Sequence, residues 1–396
     1  MTIFSKNFTI ARIPRILFGS GVINQLVDIV ALHGRSCRVL LLTGANSFDK
    51  ASWSGEILNG LSKQGLTVLH ARAKGGEPSP DSVDAFVQKY RDEGIDVVVA
   101  IGGGSILDEA KAIAGLLRVG DSVMDYLEGV GPEKPYQGNA VPFIAVPTTA
   151  GTGSEATKNA VLSRHGKEGF KKSFRDDALV AEWAIVDPDL IASCPPEVLA
   201  GNGMDALTQL IESYVSINSN PMTDALALKG IEAAKEGMIP LYESKGSDAK
   251  ARECMAFASL QSGVCLAQTG LGSVHGLASP LGAFFPIPHG IVCGTLLAEA
   301  TKTNIDALKQ KADESNPALK KYQTLALLMT GERSHQALIN LLESWTEQLN
   351  LPRLKSFGLQ DSDLDKIVEN SRGSSMKTNP IVLTDNEIRL ILENRM

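Results

Sequence analysis

Five short apolar runs alternate with polar segments over the first half of the chain and then stop: RVLLLT (Arg38 to Thr43), LTVLHAR (Leu66 to Arg72), DVVVAIGGG (Asp96 to Gly104), PFIAVPTT (Pro142 to Thr149) and AIVDP (Ala184 to Pro188). Continuous Val, Ile and Leu bounded by Gly and Pro is the pattern of a strand buried on both faces. Between these runs, Asp81 to Glu93 and Leu107 to Leu117 space their apolar residues as a helix does. The order is therefore strand, helix, strand, which implies a largely parallel sheet covered by helices. Beyond Pro188 the pattern becomes one of successive helices, around Pro196 to Leu199, Met204 to Ser216, Met222 to Tyr242, Asp248 to Ala267, Tyr322 to Leu349 and Asp361 to Asn370. The expected organisation is an α/β domain over residues 1–188 and an all-α domain over residues 189–396, with the cleft between them as the binding site. A chain of 396 residues is too long for one ordinary core, and 43% hydrophobic residues are enough to fill two.

A formal charge of −7 without any long run of Lys or Arg gives little support to a nucleic-acid or anionic-membrane partner, and a small-molecule partner fits better. The start, MTIFSKNFTIARIPRILFG, breaks its apolar residues with Lys6, Arg12 and Arg15, unlike a signal peptide, and no window reads as a membrane span. The five cysteines, Cys37, Cys194, Cys254, Cys265 and Cys293, are odd in number and scattered without a C-x-x-C pair, which fits a reducing compartment and a cytoplasmic protein. Each is expected to be a small buried apolar residue.

In DVVVAIGGGSILDEAK a strand ending at Ile101 runs into Gly102, Gly103, Gly104 and Ser105, and a helix follows from Ile106. Such a turn lets the backbone approach a phosphate, and the helix start favours negative charge. The same glycines also suit a tight strand-to-helix turn, and the spacing is neither G-x-G-x-x-G nor the Walker pattern. A second loop after another strand, PTTAGTGSEAT, offers Thr148, Thr149, Thr152 and Ser154 as hydroxyl donors. Two such loops at the carboxyl ends of strands in one sheet suggest a nucleotide spread across the crevice.

GNGMDALTQLIESYVS reads as a helix starting after a Gly-rich turn, with Asp205 and Gln209 on one face at i, i+4. An Asp in a first turn is also what the helix dipole favours. His275 and His289, fourteen positions apart in HGLASPLGAFFPIPHG, are each followed by Gly. Asp205, His275 and His289 together offer a carboxylate and two imidazoles, enough to hold Zn²⁺ or Fe²⁺ with positions left for substrate.

Taken in order, GGGSILDEAK, PTTAGTGSEAT, IVDPDL, GNGMDALTQLIESY and HGLASPLGAFFPIPHG resemble the iron-containing (group III) alcohol dehydrogenase family, whose relatives include glycerol dehydrogenase, maleylacetate reductase and dehydroquinate synthase. The resemblance covers nearly the whole chain, including FTIARIPRILFGSGVINQL. It implies a Rossmann-like α/β nucleotide domain followed by a helical metal domain, the dehydroquinate synthase-like architecture. By position, it implies pyrophosphate binding at Gly102, Gly103, Gly104 and Ser105, and an adenine and ribose side lined by Thr148, Thr149 and Thr152. Lys171, or its neighbour Lys172, would lie near the nicotinamide ribose.

The family's metal ligands are an Asp, a His four residues later and two further histidines. Asp205, His275 and His289 match, whereas Gln209 stands at the second position, where an amide gives a weak or peripheral contact. Ser279 stands where many members have a proton-relay histidine, so proton transfer would pass through hydroxyls and water. After the strand ending at Thr43, many NAD-using members carry an Asp that repels a 2′-phosphate. Here the segment is Gly44, Ala45, Asn46 and Ser47, so NADP(H) is expected to be accepted and preferred.

The function expected is hydride transfer between NAD(P)(H) and a small alcohol or carbonyl at a divalent metal, Fe²⁺ or Zn²⁺, with His275, His289 and Ser279 nearest the chemistry. The alternatives are a metal-free reductase resembling maleylacetate reductase, in which His275 and His289 bind and protonate the substrate, and a non-catalytic nucleotide-binding relative. A dehydroquinate synthase-like lyase ranks third, after the two reductases, because its Lys and Arg phosphate cluster is not displayed by the metal-site segments. Phe284, Phe285 and SSMKTNP (Ser374 to Pro380) are candidate pocket residues, with Arg372 or Lys377 facing an acidic group or simply solvated. The family implies a homodimer or higher homo-oligomer.

Overall fold

The computed structural model describes residues 7–34, 36–45, 47–166, 168–312 and 315–396. Among the described residues eight strands are formed: β1 (Arg15–Phe18), β2 (Arg38–Thr43), β3 (Thr67–Arg72), β4 (Val97–Gly102), β5 (Phe143–Pro147), β6 (Asn159–Arg164), β7 (Phe170–Arg175) and β8 (Trp183–Val186). Six of them make one parallel sheet in the order β1-β8-β5-β4-β2-β3. Alternate residues explain why the strands read as continuous apolar runs. Leu40, Leu42, Val98 and Ala100 enter a core on one face, and Val39, Leu41, Val97 and Val99 enter a second core on the other.

The chain passes from β2 outward to β3 and then returns to place β4 on the opposite side of β2. This reversal opens a crevice at the carboxyl ends of β2 and β4, where the turns after Thr43 and Gly102 lie. The short edge strand β1 and the antiparallel hairpin β6-β7 were not among the expected strands. The hairpin leans on the helical half, with Ser279 Oγ donating to the Lys171 carbonyl at 2.9 Å and His165 Nδ1 3.1 Å from the Gly282 carbonyl.

The second half of the chain is helical and packs around two cores, a large one from Leu199 to Leu351 that Ala150, Ala156, Ala184 and Val186 of the first half also enter, and a second from Val274 to Leu392. Several expectations there require correction. Pro196–Val215 is one helix of 20 residues, so Gly201, Asn202 and Gly203 are not a turn before it. The glycines sit inside it because neighbours come close: a Cβ on Gly203 would lie 2.6 Å from Met238 Sδ, and one on Gly201 would lie 3.4 Å from the Gly290 backbone. Tyr322 to Leu349 is two helices, Pro317–Thr330 and His335–Gln348, parted at Gly331 with φ 85° and restarted by the Ser334 cap. The segment from His275 to Gly290, rich in Gly and Pro, is mostly helical. It supplies Ser273–Phe284 and the start of His289–Lys311, joined by Phe285 to Pro288. Among the described residues, no helix is long and apolar enough to cross a membrane.

Candidate metal centre and nucleotide loop

Three helices meet where their sequences permit contact. In the helix His289–Lys311, Gly290 and Gly294 lie against Pro196–Val215, since a Cβ on Gly290 would be 2.4 Å from the Gly201 carbonyl and one on Gly294 would be 2.8 Å from Met204 Cβ. Side chains at both positions would hold the helices apart. Their close approach sets His289 and Cys293, one helical turn apart, beside the buried carboxylate of Asp205. The third helix, Ser273–Phe284, contributes His275 from its first turn.

Asp205, His275, His289 and Cys293 each direct one donor atom into a space where all four lie within 4.8 Å of one another. Asp205 Oδ1 is 3.2 Å from His275 Nε2 and 3.6 Å from His289 Nε2. Cys293 Sγ is 3.7 Å from each of those two nitrogens. His275 Nδ1 donates to Glu212 Oε2 at 2.6 Å, and Glu212 Oε1 accepts from the Val274 N–H at 2.7 Å. His275 Nε2 faces a carboxylate oxygen, an arrangement that requires a proton or a cation between them: burial opposes charge on the ring, but with no cation present Cys293, Glu212 and Asp205 hold its pKa well above the ordinary value. A proton serves only one contact, whereas a cation serves all four donors.

Two further atoms, Asp205 Oδ2 and His289 Nδ1, are buried without a hydrogen-bond partner among the described residues. Each unpaired group of this kind costs about 1–3 kcal/mol. Burial opposes charge on Asp205, but His289 and His275 hold its carboxyl down at about 2. Burial and then the Lys171 charge bring His289 down to about 4, so at neutral pH the pair is a carboxylate and a neutral imidazole, the forms that bind metals. The donor set and its charge fit a divalent cation.

Gln209 differs from the expected weak fourth contact. Its amide nitrogen faces Asp205 Oδ1 at 3.2 Å, and its oxygen accepts from Ser262 Oγ at 2.7 Å. An amide N–H₂ offers a metal no lone pair, so Gln209 holds the carboxylate rather than adding a donor. Cys293 is as buried as expected but not apolar in its surroundings. It and Glu212 are the site residues that sequence reasoning missed. The i, i+4 step from His289 and the i+7 step from Asp205 were the available signals.

Gly102 ends β4, Gly103 caps the helix Gly104–Leu116 without any side-chain bond, and the first N–H groups of that helix face the crevice. Thr152 lies over them so closely that a Cβ on Gly104 would be 2.4 Å from its Oγ1. One cavity of about 640 Å³ is lined by Gly104, Ser105 and Thr152 at one end and by His275, Ser279, His289 and Gln209 at the other. An adjoining cavity of about 560 Å³ is lined by Gly103, Thr149, Asp205 and Phe285. Thr148 does not line either cavity, and its N–H donates to the Gly102 carbonyl.

Lys171 lines the larger cavity and is ion-paired with Glu77, itself bonded to Ser163. Lys172, Ser374, Ser375 and Lys377 also line it, whereas Arg372 is held by Asp385 and the Leu383 carbonyl. Gly44 follows β2 at the crevice, with no acidic side chain at that position, and Asn46 lies outside the described residues.

Comparison with known proteins agrees with this arrangement. The chain is 32% identical over 383 residues to alcohol dehydrogenase 4 of Saccharomyces cerevisiae (strain YJM789), covering 96% of each. It is 33% identical over 400 residues to long-chain-alcohol dehydrogenase 1 of Geobacillus thermodenitrificans (strain NG80-2), covering 97% of this chain and 96% of that protein. Its fold matches the crystal structure of an archaeal halo-thermophilic Red Sea brine pool alcohol dehydrogenase with a TM-score of 0.89, 25% identity and all of both chains covered. The family models for iron-containing alcohol dehydrogenase and for the C-terminal part of that family match residues 14–188 and 199–396. The chain belongs to the iron-containing alcohol dehydrogenase family.

Proposed function

We propose that the protein is an NAD(P)-dependent alcohol dehydrogenase that interconverts a small alcohol and its aldehyde or ketone, using a divalent metal held by Asp205, His275 and His289. The observation that carries this reading is the single cavity joining the glycine loop to the two histidines. When bound, the nicotinamide supplies the hydride and the cation supplies a Lewis acid for the carbonyl oxygen.

The chain's own residues do the positioning. Gly103 and Gly104 leave room for phosphates at an uncapped helix start, with Ser105, Thr149 and Thr152 beside them. Glu212 fixes the His275 ring, and Gln209 fixes Asp205. Lys171, ion-paired with Glu77, presents a fixed donor near His289. The hydroxyl hydrogen of Ser279 is committed to the Lys171 carbonyl, so toward the cavity it offers acceptor lone pairs, and proton transfer runs through water accepted there. Elemental analysis followed by chelation and assay tests the reading. Turnover lost on chelation and restored by Zn²⁺ or Fe²⁺ supports it, and full activity of metal-free protein contradicts it in favour of direct protonation by His275 and His289.

NADP(H) is accepted and preferred, because Gly44 places no carboxylate at the end of β2. A kcat/KM for NADH at least roughly tenfold above that for NADPH, about 1.4 kcal/mol, contradicts this assignment. The protein works in the cytoplasm as a homodimer or higher homo-oligomer. The edge strand β1, with Ile16 exposed in it and Ile13 exposed just before it, supports pairing between copies, which sedimentation measures.

A further inference from the structure

We propose that Cys293 is a metal ligand, so that this centre is a carboxylate, two imidazoles and a thiolate, biased by its sulfur away from harder, oxygen-preferring cations. The proposal rests on the metal-dependent reading above and adds to it the identity of the fourth donor. Tetrahedral ligands at the usual zinc distances stand about 3.3 Å apart for an N and O pair and about 3.6 Å apart for an N and S pair. The separations here are 3.2 and 3.6 Å from Asp205 Oδ1 to the two imidazole nitrogens, and 3.7 Å from Cys293 Sγ to each of them. Each measured edge falls close to the length that a shared four-coordinate cation requires.

The alternative donor is turned away, since Gln209 directs its amide N–H₂ at Asp205 while its oxygen faces Ser262. Position also favours sulfur. His275, His289 and Gln209 line the larger cavity while Cys293 does not, so the thiolate binds from behind and leaves the cavity side free for a fifth, substrate donor. Thiolate ligands favour Zn²⁺ over the harder oxygen-preferring cations. On binding, the S–H bond breaks, an S–metal bond forms and the proton passes to solvent, with no change in oxidation state.

Spectroscopy of the full chain separates this proposal from the reading beneath it. Protein stripped by chelation is reloaded with Co²⁺, and its absorption is recorded for wild type, Cys293→Ser and Cys293→Asn. Expected are visible d–d bands in all three and a near-ultraviolet thiolate-to-cobalt charge-transfer band in wild type alone, with Zn²⁺ affinity lower by on the order of tenfold or more in the variants. Wild-type protein with d–d bands but no charge-transfer band, or a band that survives in Cys293→Ser, overturns Cys293 as a ligand and leaves the metal-dependent reading intact. No Co²⁺ spectrum of any kind in wild type overturns both. The wild-type spectrum decides even if a variant folds poorly.

Discussion

The glycine loop and the metal centre face each other across one cavity but are built in opposite ways. The loop presents backbone from one contiguous stretch, Gly102 to Ser105, on a strand-to-helix turn that local sequence dictates. The centre presents side chains from three helices, and its donors converge only because Gly201, Gly290 and Gly294 let two of those helices touch. Local geometry serves to cradle a phosphate, whereas a cation needs donors from several directions at once. Damage to the two ends should therefore separate cleanly.

Three substitutions sharpen the contrast, from the largest expected effect to the smallest. Glu212→Gln keeps the shape of the contact to His275 but removes the charge that makes the imidazole a strong donor, and should weaken Zn²⁺ binding by about 10–100-fold while leaving NAD(P)H binding unchanged. Competition with a chelating dye measures the first, and cofactor fluorescence the second. Gly104→Ala should do the reverse. Its methyl group would meet Thr152 Oγ1 at 2.4 Å, so the KM for NAD(P)H should rise by roughly tenfold, about 1.4 kcal/mol, at unchanged metal content.

The third concerns the turn between the two halves, where Glu155 is fully buried near Lys111. Burial pushes its carboxyl from an ordinary 4.5 up to about 7. Between those values it is neutral when folded and ionised when unfolded, so the folded state binds more protons and stability falls as pH rises through the window. Glu155→Gln removes this titration and should flatten the pH dependence of Tm between about pH 4.5 and 7, a shift of a few degrees at most. An unchanged slope contradicts that placement.

What was legible in the sequence follows the same division. The five expected strands formed because full burial requires unbroken apolar runs, and the glycine loop was visible because its residues are adjacent. The β6-β7 hairpin was not, since FKKSFR is half-buried and charged and lacks that signature. Gly201 and Gly203 looked like punctuation because a glycine needed for close packing has the same letter as one needed for a turn. Asp205, His275 and His289 could be named together, but that their donors meet depends on helix contacts that no spacing encodes. Cys293 was passed over because, taken alone, a buried cysteine is most often simply apolar, and its imidazole neighbours are set by tertiary packing.

The central claim is that two independently built ends meet in one reaction site. Its most direct test is a titration of NAD(P)H fluorescence on His275→Ala, alongside its metal content and turnover. The account predicts a cofactor Kd within about threefold of wild type, a metal content near zero, and turnover reduced by at least about a thousandfold, the several kcal/mol expected of a Lewis acid. Turnover that persists in protein shown to be metal-free would contradict it.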